Sequence, residues 1–349
     1  MDQSRDDNSL TELRSGDLEK AVCGLGGKKY NAGQIWSWLY KKSVFDIDKM
    51  TDIPSVLRTS LKQNFSVPLP EIERSEKSAD GTVKLLLKLY DSNYIECVII
   101  PEKDRMTLCV SSQAGCRFKC SFCSTGKLGF KRNLYAHEIV GQVLTASVFA
   151  GTRITNVVYM GMGEPFDNYD EVIKSADIIS DDSGLAVGKR KITISTFGHV
   201  DSIIRFTNED IRYKLAVSLH NPFDDERNLI MPANRKYGLK KLFDALTAYT
   251  KKSNRKVVFE YVLLKNVNDT ERHAKELIRL LSALPSKLNL IKYHSQGAAD
   301  EFGPLKDEFA LKFYNFFRNQ NFPVVFRSSR GEDISAACGQ LTAKRKAGE

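Results

Sequence analysis

The run Gly115-Cys116-Arg117-Phe118-Lys119-Cys120-Ser121-Phe122-Cys123 places three thiols at C-x3-C-x2-C spacing. Three thiolates on one loop can hold three irons of a [4Fe-4S] cluster and leave the fourth iron without a protein ligand, open to chemistry. Zinc is the competing reading. It normally takes four ligands, and no fourth Cys or His follows nearby in sequence, although His137 could arrive through the fold. The chain has seven cysteines, an odd number with three on one loop, which fits metal and redox roles in a reduced compartment better than a disulfide framework.

Other reactive or ligating groups fall at the ends of apolar runs. Gly161-Met162-Gly163-Glu164-Pro165 follows the run Ile154 to Met160; its glycines let a backbone approach a ligand closely, and Glu164 can accept a hydrogen bond from an ammonium. Ser195-Thr196 and Ser218-Leu219-His220 end two later runs and offer hydroxyl and imidazole groups. Singly, each has a plain structural reading: a βα turn for the glycines, helix caps for the serines, a hydrogen-bonded rim residue for His220. Their shared position at strand ends makes them a set. Pattern alone reads Cys109 as a small buried side chain and Cys338 as a tail thiol. Glu96 alternates with Tyr94, Val98 and Ile100 on one face of a strand, so its carboxylate either points into a site or turns to solvent.

These groups need a scaffold that brings strand ends together. Residues 1 to about 65 read as helical, with Ile35, Trp38 and Leu39 at i, i+3 and i+4, Trp36 and Tyr40 alongside, and a further helical run after Pro54. Val83 to Tyr90 and Tyr94 to Ile100, joined by Asp91-Ser92-Asn93 and ended by Pro101, read as a β-hairpin. From about residue 106 strands and helices alternate. The apolar runs are Thr107 to Ser111, Ile154 to Met160, Ile192 to Thr196, Leu215 to Leu219, Val257 to Leu263 and Leu288 to Tyr293. Leu239, Leu242, Phe243 and Leu246, and then Ala274, Leu277, Ile278 and Leu281, supply helical stripes to cover them. Six βα units predict an α/β fold with a parallel sheet, closed or partial barrel, whose site lies at the C-terminal strand ends where the cysteine loop falls. A last helix, about 306 to 319, and the strand Val324 to Arg327 lead into the tail.

Forty-two per cent apolar and 27% charged residues over 349 positions describe a globular chain able to bury a full core, with no stretch long enough to cross a bilayer. The polar, acidic start resembles neither a secretory signal nor an organellar transit peptide, so the expected location is cytoplasmic. A net charge of +9, with basic pairs and triplets such as Lys189-Arg190-Lys191, Lys240-Lys241 and Lys344-Arg345-Lys346, favours a polyanionic partner without requiring one.

With the triplet placed after the first strand of a βα array, the chain resembles the radical S-adenosylmethionine superfamily. In that superfamily the open iron chelates S-adenosylmethionine, and cluster reduction breaks its C–S bond to give a 5'-deoxyadenosyl radical. Cys109, the triplet, Gly161 to Pro165, Ser218-Leu219-His220, Val267-Asn268-Asp269 and Asp333 to Leu341 together resemble the RlmN/Cfr family of RNA adenine methyltransferases from about Tyr30 to Leu341. The resemblance implies a partial (βα)6 barrel with an N-terminal helical accessory domain (1–65), a β-hairpin extension (66–105), a core (106–330) and a tail (331–349).

The resemblance also implies roles. Cys116, Cys120 and Cys123 hold the [4Fe-4S] cluster; Gly163, Glu164, Ser195, Ser218, Leu219, His220 and His294 contact S-adenosylmethionine. Cys338 accepts a methyl group, and hydrogen abstraction turns that group into a methylene radical that adds to adenine. Cys109 resolves the adduct by forming a disulfide with Cys338, and Glu96 takes the adenine proton. Cys23 and Cys97 match no family function and read as structural. His294 stands where much of the family has asparagine, and Gln296-Gly297-Ala298-Ala299-Asp300 differs from the usual Pro-rich loop. One branch of the family methylates C2 of adenosine in 23S rRNA and in tRNA, and Cfr methylates C8. Glu164-Pro165 and Met50 to Pro54 look more like the C2 branch. The implied partners are 23S rRNA, tRNA and a flavodoxin-type reductant, acting on a monomer. The reading from a different class is a non-catalytic Fe-S, RNA-binding protein.

Overall fold

The computed structural model describes residues 8–294, 301–303, 305–327 and 329–343. The loop 296–300 and the basic triplet at 344–346 lie outside them.

Three helices open the chain: α1 (Ser15–Gly24), α2 (Lys29–Tyr40) and α3 (Ser55–Asn64). α2 buries Ala32, Ile35, Trp36, Leu39 and Tyr40, so the stripe lies one residue round from the expected one. Trp38 is instead half-buried, with the Lys42 ammonium 3.4 Å from its ring centroid.

Four antiparallel neighbours follow: β1 (Glu71–Lys77), β2 (Val83–Lys88), β3 (Tyr94–Glu102) and β4 (Arg105–Val110). The predicted hairpin is therefore part of a longer meander that continues the core sheet. β1 escaped notice because Glu71 to Lys77 is almost wholly polar and largely solvent-facing. Pro101 does not end β3. It sits opposite Met106, next to the β3–β4 turn, where one missing N–H interrupts little of the ladder.

The cysteine loop is bracketed by the short pair β5 (Gln113–Gly115) and β6 (Phe130–Asn133), with α4 (Ser124–Leu128) between them. Thereafter strand and helix alternate: α5 (Ala136–Ala150), β7 (Asn156–Tyr159), α6 (Tyr169–Ser180), β8 (Ile192–Thr196), α7 (Val200–Asn208), β9 (Lys214–Ser218), α8 (Asp224–Ile230), α9 (Gly238–Ser253), β10 (Val257–Leu263), α10 (Glu271–Leu281), β11 (Ser286–Lys292), α11 (Asp307–Asn315) and β12 (Val324–Arg327). The sheet runs β1-β2-β3-β4-β7-β8-β9-β10-β11-β12, and every pair from β4 onward is parallel. Six βα units thus form, with β12 as a further parallel strand. The barrel is partial, because β4 gives its free edge to β3 and β12 ends the sheet.

The helices bury the stripes their spacing predicts, Leu239, Leu242 and Leu246 on α9 and Ala274, Leu277 and Leu281 on α10. The N-terminal helices join the same continuous core through Ile35, Trp36 and Leu39. A second apolar cluster, built on Phe197, Met231, Val262 and Tyr293 with Phe118 and Phe122 against it, lies at the strand ends beside the cysteine loop.

Candidate active site

The cysteine loop owes its shape to a few enforced contacts. Gly115 has φ +78°, and a side-chain carbon there would stand 1.8 Å from the Gly129 carbonyl oxygen. That close approach lets Cys116 N donate to the same carbonyl at 3.0 Å, closing the loop at its base. Cys123 N donates to Cys120 O at 3.1 Å and Gly126 N to Cys123 O at 3.1 Å, winding the second half into successive turns.

One cavity of about 200 Å³ opens at the C-terminal ends of the parallel strands, and Cys116, Cys120, Cys123, Cys109 and Cys338 all line it. Gly163, Glu164, Ser195, Ser218 and His220 line it too, from the ends of three successive βα units, β7, β8 and β9, or the loops beyond. The strand-end logic therefore brings ten of the thirteen predicted site residues to one chamber.

Burial pushes the Cys116 thiol up to about 12 and the Cys120 thiol well above its usual range, and the neighbouring thiols add to both shifts. Three thiols on one cavity wall that resist ionising singly suit cationic metal, which favours the thiolates together. Among the described residues, no three Cys, His, Asp or Glu side chains converge on a point that would hold a single metal ion. Tetrahedral zinc needs sulfurs about 3.8 Å apart at its usual bond length, whereas each thiolate of an Fe-S cluster binds its own iron. His137 does not serve the loop: its Nδ1 lies 2.9 Å from Glu12 Oε2, against the N-terminal region. The residues fit a cluster better than zinc.

Glu164 is buried, and both oxygens are engaged, Oε1 by Phe166 N at 3.0 Å and Oε2 by Phe197 N at 2.9 Å. Burial still raises its pKa to about 7. Its loop is fixed to the strand feeding the cysteines, because Glu164 N donates to Gln113 Oε1 at 2.9 Å and Gly163, at φ +100°, leaves no room for a side chain beside Gln113. His220 also has a left-handed backbone, φ +53°. Its Nδ1 accepts from Val262 N at 3.0 Å, which places the ring proton on Nε2, and burial lowers its pKa to about 3. His220 is thus a fixed neutral donor, with Phe122 edge-on at 4.7 Å between ring centroids.

Cys109 is buried, with its thiol pushed up to about 12 by burial. Cys338 is exposed as a residue and lines the cavity, and the protein around its sulfur raises its pKa as well. Arg327, also on the cavity wall, draws both thiols back toward thiolate.

Three predicted contacts lie outside the cavity lining. Leu219 is wholly buried in the core, and its N donates to Glu260 O at 3.0 Å. His294 turns to the start of the tail, with Nδ1 2.7 Å from Glu332 Oε1 and Nε2 hydrogen-bonded with Ser329. Glu96 is buried and does face inward, as its alternation allows, but it meets the tail: Oε2 accepts from Thr342 N at 2.8 Å, and Oε1 lies 3.7 Å from Lys84 Nζ.

Three further residues carried no sequence signal. Arg227, 1% exposed, donates to the carbonyls of Leu219, Phe197 and Ser218 at 2.8, 2.6 and 2.9 Å, tying two strand ends together behind the rim. Glu260 lines the cavity with Oε2 unpartnered among the described residues, and Arg327 Nη1 lies 3.8 Å from its Oε1. Such charges are found only once distant strands are placed side by side.

Comparison with known proteins agrees with this geometry. Residues 110–280 match the Radical SAM superfamily, and residues 8–67 match the ribosomal RNA large subunit methyltransferase N-terminal domain. A dual-specificity RNA methyltransferase RlmN from Halorhodospira halophila is 44% identical over 91% of this chain and 88% of its own length. A probable dual-specificity RNA methyltransferase RlmN from Dictyoglomus thermophilum is 42% identical over 96% and 97%. The crystal structure of a radical SAM methyltransferase from Sphaerobacter thermophilus superposes with a TM-score of 0.91 at 41% identity, covering 97% of this chain and all of that one. The chain therefore belongs to the RlmN family of radical S-adenosylmethionine RNA methyltransferases.

Proposed function

We propose that this enzyme methylates C2 of an adenosine in 23S rRNA and of an anticodon-loop adenosine in tRNA, using Cys338 as the methyl carrier. The observation that supports this most is the meeting of Cys109 and Cys338 with the cysteine triplet around one cavity. In this reading Cys116, Cys120 and Cys123 hold one [4Fe-4S] cluster, and Gly163, Glu164, Ser195, Ser218 and His220 surround S-adenosylmethionine. Cluster and S-adenosylmethionine together supply the methyl group and the hydrogen-abstracting radical when bound.

The chain's own residues do the rest. Cys338 carries the methyl on Sγ, and removal of one of its hydrogens leaves a carbon radical that joins the adenine ring; the ring radical so formed must give up one electron, for which a bound cluster would be the acceptor, and its ring proton before the adduct is resolved. A ring carbon as poor a nucleophile as C2 needs such a radical. Arg327 favours the Cys109 thiolate, which attacks Sγ of Cys338; the S–S bond forms, the S–C bond breaks, and the released carbon takes a proton to become methyl. Phe118 and Phe197, 4.6 Å apart between ring centroids, help close the chamber to water. The inward setting of Glu96 near the tail is compatible with its taking the adenine proton, though Thr342 N already occupies one oxygen. A one-electron donor of flavodoxin type and a monomeric enzyme complete the proposal.

The test is mass spectrometry of an unmodified 23S rRNA fragment and tRNA treated with the reconstituted enzyme. Methyl at C2 is expected; product only at C8 would overturn the assignment. Cys109→Ala is expected to trap RNA covalently on Cys338, and free methylated RNA at the normal rate would remove Cys109 from the resolving step.

A further inference from the structure

A second cavity, of about 240 Å³, lies on the outer side of the sheet where the N-terminal region meets the meander; Pro68, Pro70, Lys88, Tyr90, Ser92 and His137 are on its wall. Beside it stands a ladder of rings and cations. The Arg132 guanidinium is 5.1 Å from the Tyr90 ring centroid and 5.7 Å from that of Tyr135, and Tyr135 stacks on His137 at 5.5 Å with ring planes 10° apart. Tyr90 and Tyr135 are 45% and 41% exposed, so both rings reach the surface.

The ladder is rigid. Arg132 donates to both Glu138 oxygens at 2.7 Å and to Asp91 Oδ2 at 2.5 Å, which fixes the guanidinium and ties the β2–β3 turn to the start of α5. Tyr135 N donates to Glu138 Oε2 at 2.9 Å, fixing the ring's backbone. Glu12 Oε2 lies 2.9 Å from His137 Nδ1, which holds the imidazole on which Tyr135 stacks. Lys88 and the exposed Lys131 have no ion-pair partner among the described residues. The ladder also stands beside the cysteine loop, since Arg132 pairs with Ala114, two residues before Cys116.

Exposed aromatics, an arginine locked between them and free lysines are what single-stranded RNA uses: bases stack on the rings while the phosphates meet the cations. We propose that Tyr90, Arg132 and Tyr135 form a stacking platform for an unpaired base flanking the target adenosine, with Lys88 and Lys131 at its phosphates. This rests on the RNA methyltransferase reading and adds to it a second place where the substrate is held.

The test uses the reconstituted enzyme and an unmodified 23S rRNA stem-loop carrying the target adenosine. The double variant Tyr90→Ala, Tyr135→Ala is expected to raise KM for this RNA about tenfold or more, with kcat at saturation within about twofold, since stacking away from the chemistry contributes binding alone. The pair Tyr90→Phe, Tyr135→Phe keeps both ring faces and is expected to restore the parent KM. Photocrosslinking of 5-iodouridine-substituted RNA should label the peptide containing Tyr90 or Tyr135. An unchanged KM in the alanine variant, with the parent enzyme active, would overturn the platform alone. A parent enzyme that methylates no RNA would overturn the function and the platform with it.

Discussion

Lys84 Nζ donates to the carbonyl oxygen of Ile334 at 2.6 Å, joining the second strand of the meander to the tail that carries Cys338. The same ammonium lies 3.0 Å from Glu76 Oε2 and 3.7 Å from Glu96 Oε1, and its side chain is only 7% exposed. Asp333 accepts from Ser78 Oγ at 2.6 Å and from Ala79 N at 3.1 Å, while Glu96 accepts from Thr342 N. From the other side, Ser124 N donates to Gly339 O at 2.7 Å and Thr125 Oγ1 to Leu341 O at 2.8 Å. The tail is thus gripped before and after Cys338, between the meander and the helix that follows the cysteine loop.

Lys84→Met should loosen this grip while leaving the cluster loop alone. A carrier displaced by about 1 Å loses on the order of a hundredfold in rate, so RNA methylation should fall steeply while the cluster absorbance of the reconstituted protein is kept. Iodoacetamide should alkylate Cys338 faster than in the parent, followed by peptide mass spectrometry. Equal alkylation and equal methylation would confine Lys84 to the sheet.

Cys120→Ala should lower bound iron and the visible cluster band sharply without changing the far-ultraviolet circular dichroism, since the loop's closing bonds come from backbone groups. Iron analysis decides it, and full iron content in the variant would mean that the cluster is held elsewhere.

Gly115→Ala should be far more damaging than a surface glycine change. The added carbon would collide with the Gly129 carbonyl at 1.8 Å in a backbone of φ +78°. We expect a loss of several kcal/mol in urea unfolding, of the order of about 3, together with poor cluster retention. Gly26→Ala has a comparable φ of +80° but open space around it, so it isolates the backbone strain from the collision.

Acid should weaken the joint between the N-terminal helices and the core through Glu12. Burial alone would raise its pKa, but hydrogen bonds from His137 and Lys174 outweigh it and hold the group near about 2, below its ordinary 4.5. Between those values the unfolded chain takes up the proton first, so this contribution is present above pH 4.5 and is lost as pH falls toward 2. Glu12→Gln should therefore reduce the neutral-pH stability by about 1 to 3 kcal/mol and flatten its fall in acid, read from urea midpoints between pH 7 and 3. Parallel parent and variant curves would refute the role.

The cysteine triplet, the glycine-rich Gly161 to Pro165 run and the strand-end serines were legible because short spacing on one loop, and period-2 or period-3.6 runs around it, are local properties of a chain. They fixed the βα alternation and the end of the sheet where chemistry would lie. What the local pattern could not decide is which distant segments share a wall. Lys84 reads as an ordinary strand residue, and Glu96 as a carboxylate facing either a site or solvent, until β2 and β3 are laid against a tail some 240 to 250 residues later. Arg227 and Glu260 look like common surface charges until parallel strands enclose them. β1, polar throughout, acquires its place only from its ladder to β2. The sequence by itself determined the reactive groups and the scaffold that repeats around them. Tertiary structure alone decided that the tail is clamped beside the cavity where Cys109 and Cys338, paired in advance only by the family resemblance, both lie, because such contacts depend on loop closure across most of the chain, which no local residue pattern encodes.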